Sequence, residues 1–387
     1  MGTRGAKDSI YMDYQATTPA DPRVVEAMQP YWSAMYGNPH SADHAFGWSA
    51  DAAVETARGH IAALIGADPD EIVFTSGATE ANNLALLGMA RASPPARRRI
   101  VVSAIEHKCV LAAARAAANE GFEVITVPVG ADGVVDSRAV AAVVDDRVAL
   151  VSVMAVNNEI GTVQPLSEIA ALCAGAGAAF HTDAAQALNA LAIDVATLGA
   201  DLMSLSAHKA YGPKGMGALY VRRGLQIRPK PIIHGGGQEG GLRSGTLPTP
   251  LCVGFGEACR ILANERDSDA KRIRILRDRF LAKLRERVPG LAVNGHHGSR
   301  HSGNLNLLFP SIDASLLLQN LHPTVAASTG SACTSGQPEP SHVLRAIGLS
   351  EQDAMSSVRF SIGRFTQAAE IDITVDLLKA VIERLHE

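Results

Sequence analysis

From about Glu71 to Val221, short runs of β-branched and apolar residues alternate with helix-like stretches. The runs are Glu71-Ile-Val-Phe-Thr75, Ile100-Val-Val-Ser103, Val148-Ala-Leu-Val-Ser-Val-Met154, Ala179-Phe-His-Thr-Asp183 and Asp201-Leu-Met-Ser-Leu-Ser206. Alternation of this kind predicts an α/β architecture, a mostly parallel sheet with helices on both faces. Beyond about Cys259 the pattern changes. Apolar Ile273, Leu276, Phe280 and Leu284 fall at helical spacing among many Lys and Arg, which describes an amphipathic surface helix. A domain boundary is therefore expected near Cys259. Residues 16–258 would form a large domain, and residues 1–15 and 259–387 a smaller α+β one.

Composition supports a globular chain of more than one domain: 387 residues, 47% of them hydrophobic. A formal net charge of -4 leaves no broad basic surface for a nucleic-acid backbone, so no direct nucleic-acid partner is expected. The start, Met1 to Asp8, lacks the apolar stretch of a signal peptide, and no later segment is apolar for long enough to cross a bilayer. The expected location is cytoplasmic, with no membrane partner. The five cysteines, Cys109, Cys173, Cys252, Cys259 and Cys333, contain no C-x-x-C pair, which argues against a disulfide framework or a zinc knuckle. Cys252 and Cys259 stand seven apart in an apolar run and are expected on one buried helix face. Cys333 differs. Its segment, residues 326–340, is rich in Ser, Gly, Thr and Pro and has no apolar period, so a mobile exposed loop is expected there. An exposed thiol tends to be kept where its reactivity is used.

Open parallel sheets bind ligands at the carboxyl ends of their strands. The first run is followed by Thr75-Ser-Gly-Ala-Thr-Glu80, a small-residue turn opening a helix, where free N–H groups and a positive dipole end suit a phosphate. Such residues also cap ordinary helices. The second run leads to Glu106-His107, the third to Asn157-Asn158-Glu159, the fourth ends on Asp183 with Gln186 a turn later, and the fifth leads to Ser206-Ala-His-Lys209. Taken singly, His107 reads as a core histidine, Asp183 as a helix cap and Lys209 as a solvated loop lysine. Their shared position at five strand ends points instead to a site. A phosphate cradle, a strand-end carboxylate and a lysine in a small-residue loop are what pyridoxal 5'-phosphate (PLP) requires. The lysine bonds the cofactor covalently, and the carboxylate keeps the pyridine nitrogen protonated.

These motifs resemble those of cysteine desulfurases of the NifS/IscS type, within the class V aminotransferase group. The resemblance rests on Tyr11-Met-Asp-Tyr-Gln-Ala-Thr-Thr-Pro19, Thr75–Glu80, Glu106–Lys108, Asn157–Gly161, Asp183–Gln186, Ser206–Gly215, Arg243–Thr246, Gly330–Ser335 and Val358–Ser361, which follow in order almost to the C-terminus. It implies a large PLP domain with a mostly parallel sheet of the seven-stranded type. It further implies that Lys209 holds PLP, His107 stacks on the ring, Asp183 pairs with the ring nitrogen and Gln186 lies near the phenolic oxygen. The phosphate would lie among the Ala78 and Thr79 backbone, Thr79, Ser206, His208, and Thr246 from a second subunit. Asn158 and Arg359 would hold the substrate carboxylate, for which a guanidinium is the natural clamp. A homodimer follows, most simply with two-fold symmetry. Cys333 would attack the sulfur of L-cysteine, release alanine and pass the persulfide sulfur to an acceptor protein. The long loop around Cys333 resembles the extended-loop branch of the family. No resident metal is implied, although Cys333 could transiently ligate a cluster on a scaffold partner.

Other signals carry less. Gly235, Gly237 and Gly240 match G-x-G-x-x-G, but no periodic helix follows them, and the chain has no G-x-S-x-G elbow to go with His234-Gly-Gly-Gly. They are expected as flexible loop glycines near the subunit contact. His296, His297 and His301 are expected in a polar surface loop. At this level a different PLP enzyme of the same fold, such as an aminotransferase or selenocysteine lyase, and a non-catalytic scaffold both stay open. The chain stops soon after its last expected helix, at Glu387, without the longer tail by which housekeeping members grip an iron-sulfur scaffold. The sulfur destination is therefore open among iron-sulfur assembly, nitrogenase maturation, tRNA thiolation and DNA phosphorothioation.

Overall fold

A computed structural model of the chain describes residues 9–330 and 339–386; Cys333 lies outside the described residues. The strands are β1 (Ile10–Tyr11), β2 (Ile72–Thr75), β3 (Arg99–Ser103), β4 (Glu123–Val127), β5 (Val148–Ser152), β6 (Ala179–Asp183), β7 (Leu202–Ser206), β8 (Gly217–Val221), β9 (Ala292–Asn294), β10 (Asn304–Leu308), β11 (Val325–Ala326) and β12 (Ser357–Ser361). Seven of them form the main sheet, in the order β2-β8-β7-β6-β5-β3-β4. All run parallel except β8, which is antiparallel to β2 and β7. The five expected runs correspond to β2, β3, β5, β6 and β7, and β4 and β8 complete the sheet. Because only β8 is reversed, β2 still points the same way as β7, and the two strand ends open on one edge. β8 must pass close under the turn after β2. A Cβ on Gly217 would lie 2.6 Å from Gly77 Cα and 2.5 Å from the Leu205 carbonyl oxygen, so only glycine fits.

The sheet is buried on both faces. One face packs on Ile61, Ile65, Phe74, Val151, Phe180, Met203 and Phe255, under the helices Ala45–Ile65 and Thr249–Arg285. The other packs on Leu84, Leu86, Ile100, Val102, Val110 and Leu150, under the helices Ala78–Ala92 and Lys108–Asn119. Complete burial of such a side chain contributes roughly 1.5–3 kcal/mol, which is why apolar residues stand at positions facing both sides of these strands.

A separate core lies beyond. It joins the antiparallel sheet β12-β10-β9 to the helix Ala368–His386 and to Ile273, Leu276, Phe280 and Leu284. The N-terminal strand β1 pairs in parallel with β11, and Ile10 and Met12 bury in this same core. The boundary expected near Cys259 falls inside a single helix of 37 residues, Thr249–Arg285, whose first half serves the large core and whose second half serves the smaller one. Neither Gly nor Pro interrupts the stretch between Cys259 and Ile273, so nothing there breaks the helix. Cys252 and Cys259 share its buried face, as their spacing predicted.

Candidate active site

The carboxyl ends of β2, β3, β5, β6 and β7 border a cavity of about 750 Å³, closed on its far side by residues near β12 and the N-terminal segment. Ala78, Thr79, His107, Asn158, Asp183, Gln186, Ser206, His208, Lys209 and Arg359 all line it. Thr246 does not; it is exposed on the surface. Cys333 is outside the described residues.

The turn after β2 has the form of an anion cradle. Gly77 precedes the helix Ala78–Ala92, whose first hydrogen bond runs from the Ala81 amide to the Gly77 carbonyl at 3.1 Å. The amides of residues 78–80 therefore start without an intrahelical acceptor, at the positive end of a 15-residue helix. Glu80 braces the turn by accepting the Ser76 amide at 2.8 Å and pairing with Arg243 at 2.9 Å, which ties the turn to the segment before Thr246. His208 packs beside it with Nδ1 3.1 Å from the Thr17 hydroxyl, and burial pushes its imidazole down to about 4, so it is neutral.

On β6, Asp183 is buried and its carboxylate is held at both oxygens, by the Ala185 amide at 2.9 Å and by Asn82 Nδ2 at 2.7 Å. Lys209 follows β7 in a short 3-10 turn. Its Nζ donates to the carbonyls of Gln15 and Ala16, and the Gln15 carbonyl also accepts Gln186 Nε2 at 2.8 Å. Burial, assisted by the Arg359 guanidinium, depresses the Lys209 ammonium to about 8, while Asp13 and Asp183 oppose that shift. Tyr211, two residues on, has φ of +63°, a strained conformation for a bulky side chain. It is clamped by the Arg364 amide, which donates to its hydroxyl at 2.8 Å, and by the Arg364 guanidinium 4.5 Å from its ring.

The opposite wall comes from β12, where side chains alternate. Val358 and Phe360 enter the smaller core, and Arg359 points to the cavity. Arg359 Nη1 donates to the Asn158 carbonyl at 2.7 Å, and Nη2 donates to Asp13 at 2.6 Å and to the Ser328 hydroxyl at 2.9 Å. Its Nε, although buried, has no partner among the described residues. Asn158 is carried on a turn shaped by Asn157, whose side-chain oxygen accepts the amides of Glu159 and Ile160 at 2.8 and 2.9 Å. Asn82, Asp13 and Gln15 were not singled out by the sequence as site residues. Asp13 and Gln15 lie inside the Tyr11–Pro19 motif, which was the one signal available. The histidine cluster near residue 300 also differs from expectation: His301 is buried, pushed down to about 4 by that burial, and hydrogen bonded through Nε2 to Asn189 at 3.2 Å.

An amine, a carboxylate and a dipole-backed phosphate turn on one cavity fit PLP. The comparisons agree. The family model for Aminotransferase class-V matches residues 10–374. Cysteine desulfurase IscS of Rickettsia felis is 50% identical over 378 residues, covering 98% of this chain and 92% of that protein. A solved NifS-like protein superposes with a TM-score of 0.91 at 34% identity, covering 97% of this chain and 99% of the other. A structure described as SspA in complex with cysteine gives a TM-score of 0.82 at 39% identity, covering 93% and 100%. The chain belongs to the class-V aminotransferase family, whose fold it shares, and within it to the PLP-dependent cysteine desulfurases.

Proposed function

We propose that this chain takes sulfur from L-cysteine, releases L-alanine, and holds the sulfur as a persulfide on Cys333 until an acceptor protein receives it. The observation that carries the reading is the meeting of Lys209, Asp183 and Arg359 around one cavity, an amine depressed to about 8 between a buried carboxylate and a buried guanidinium. In this reading Lys209 would bond the cofactor, Asp183 would pair with its ring nitrogen, and His107 and Gln186 would hold its ring and phenolic oxygen. The Ala78 and Thr79 amides, the Thr79 and Ser206 hydroxyls and His208 would hold the phosphate, completed by Thr246 from a second copy. When bound, PLP supplies an electron sink for the substrate carbon. Arg359 and Asn158 orient the substrate carboxylate. The Cys333 thiolate then bonds to the substrate sulfur, the carbon–sulfur bond breaks, and its electron pair stays with the carbon skeleton, which takes up a proton and leaves as alanine.

The four described thiols support assigning the sulfur to Cys333. Burial pushes Cys109 and Cys173 up to about 12 and raises Cys252 and Cys259 further, so each is held as a poorly nucleophilic thiol. The homodimer is supported by a run of exposed aromatic residues, Trp32, Tyr36, Phe46 and Trp48, of a size rarely left in water. The acceptor is an iron-sulfur scaffold or a thiolation enzyme. A cytoplasmic location accords with the described residues, none of whose helices is long and apolar enough to cross a membrane.

Mass spectrometry after one turnover without reductant tests the reading. One added sulfur should map to the peptide bearing Cys333, and Cys333→Ala should bind PLP yet lose alanine release. Sulfur on Cys109, or alanine and sulfide released at the normal rate by Cys333→Ala, overturns it.

A further inference from the structure

Along the cavity wall, a chain of hydrogen bonds joins Asp183 to His107 through two residues with no role in the scheme above. Asn82 is fully buried in the helix Ala78–Ala92. Its Nδ2 donates to Asp183 Oδ2 at 2.7 Å and to Cys109 Sγ at 3.2 Å. Cys109 Sγ lies 2.9 Å from His107 Nδ1, and the Cys109 backbone amide donates to that same nitrogen at 3.2 Å.

The donor directions follow from one another. A carboxylate only accepts, so the Asn82 amide must turn its NH₂ toward Asp183 and, from the same nitrogen, toward Cys109. A backbone amide only donates, so His107 Nδ1 accepts and bears no proton. Two lone pairs would repel at 2.9 Å, which puts the thiol hydrogen between Sγ and Nδ1. The His107 proton is then on Nε2. We propose that Cys109 is a positioning residue whose thiol, oriented by Asn82, holds His107 in the neutral tautomer protonated at Nε2, so that the ring meets cofactor and substrate as a hydrogen-bond donor rather than a base.

Burial supports both halves of this assignment. It drives His107 down and so favours the uncharged ring, and it drives Cys109 up to about 12 and so keeps the hydrogen on sulfur. The charged groups around the pair do not reverse that balance. Asp183 on β6 favours the imidazolium, while Lys209 after β7, His342 at the start of the helix His342–Ala346, and the adjacent Lys108 all oppose it. Toward Cys109, Asp183 and Glu106 disfavour the thiolate, and the Thr79 hydroxyl and Asn82 favour it.

The inference rests on the reading that His107 faces the cofactor, and its test is independent of where the sulfur goes. Nitrogen NMR of the holoenzyme labelled at histidine, with His107→Gln to assign the signal, reads the tautomer directly. Wild type should show Nε2 protonated and Nδ1 bare from about pH 6 to about pH 8. Cys109→Ala should raise the His107 titration by about one unit, and should lower kcat about tenfold with KM within about twofold. Cys109→Ser keeps one donor hydrogen and should recover the single tautomer and most of kcat. A proton on Nδ1 in the wild type overturns the inference. So does Cys109→Ala with unchanged His107 signals, whatever its kcat, because loss of packing alone would leave the tautomer in place.

Discussion

The cavity has two walls, and they hold their charged groups by different means. On the parallel sheet, Asp183 and Lys209 sit at the ends of β6 and β7 and are fixed mainly by neutral partners: amides, the Asn82 side chain and the carbonyls of Gln15 and Ala16. On the antiparallel sheet, Arg359 is gripped by a carboxylate, Asp13, with Ser328 and the Asn158 carbonyl beside it. Burial and the nearby Arg359 guanidinium make the Lys209 amine easy to deprotonate, depressing it to about 8, and a deprotonated amine is what bonding a cofactor aldehyde needs. At Arg359 the Asp13 carboxylate instead fixes the guanidinium at the cavity, where a substrate carboxylate can approach it. One wall is therefore suited to covalent chemistry and the other to recognition.

The contrast is broken most sharply at Lys209. Lys209→Ala should cut alanine release by on the order of 10³-fold and abolish borohydride fixation of the cofactor; retention of the label on Lys214 would move the covalent role away from this wall. At Arg359 the loss should be smaller and confined to binding. Arg359→Lys replaces a planar fork by a point charge and should raise KM for L-cysteine about 10- to 100-fold, with the cofactor absorbance intact. An unchanged KM would remove the recognition role.

The pH dependence sharpens the same comparison. The neutral amine is the reactive form, so uptake of PLP by cofactor-free protein should rise about tenfold per pH unit below about 8 and level off above it. Continued acceleration toward pH 10, as for an ordinary lysine, would show that the Lys209 ammonium is not depressed. The smallest effect is expected at Asp13. Asp13→Asn keeps an oxygen for Arg359 but removes the charge, and KM should rise roughly threefold with kcat nearly constant. A fall in kcat alone would tie Asp13 to the covalent wall instead.

Much of the first wall was legible along the chain, whereas on the second Arg359 and Asn158 were reached only through the family resemblance and Asp13 was not reached as a site residue. The turn Thr75–Glu80, the strand-end Asp183 and the loop lysine Lys209 each follow a local apolar run, so a pattern of strands ending in polar groups by itself places them at one edge. Asn82 escaped because its partner Asp183 is 101 residues away and its own context is an ordinary helix turn. Asp13 escaped for the same reason on a larger scale, lying 346 residues from Arg359. The direction of β8 was equally invisible: Gly217-Ala-Leu-Tyr-Val221 reads as apolar whichever way it runs, and only pairing with β2 and β7 sets it antiparallel.

By itself, then, the sequence determined which residues could become strands, helices and caps, and which carried chemistry, because backbone preferences and apolar periodicity act over a few residues. Tertiary structure alone decided the charge partners and proton positions. Asp13 meets Arg359 only because β1 joins β11 beside β12, and the Asn82–Cys109–His107 chain closes only because two helices pack on one sheet face. Hydrogen-bond direction and the depression of Lys209 depend on which atoms lie within a few ångströms and on how much water is excluded, and distant parts of the chain supply both.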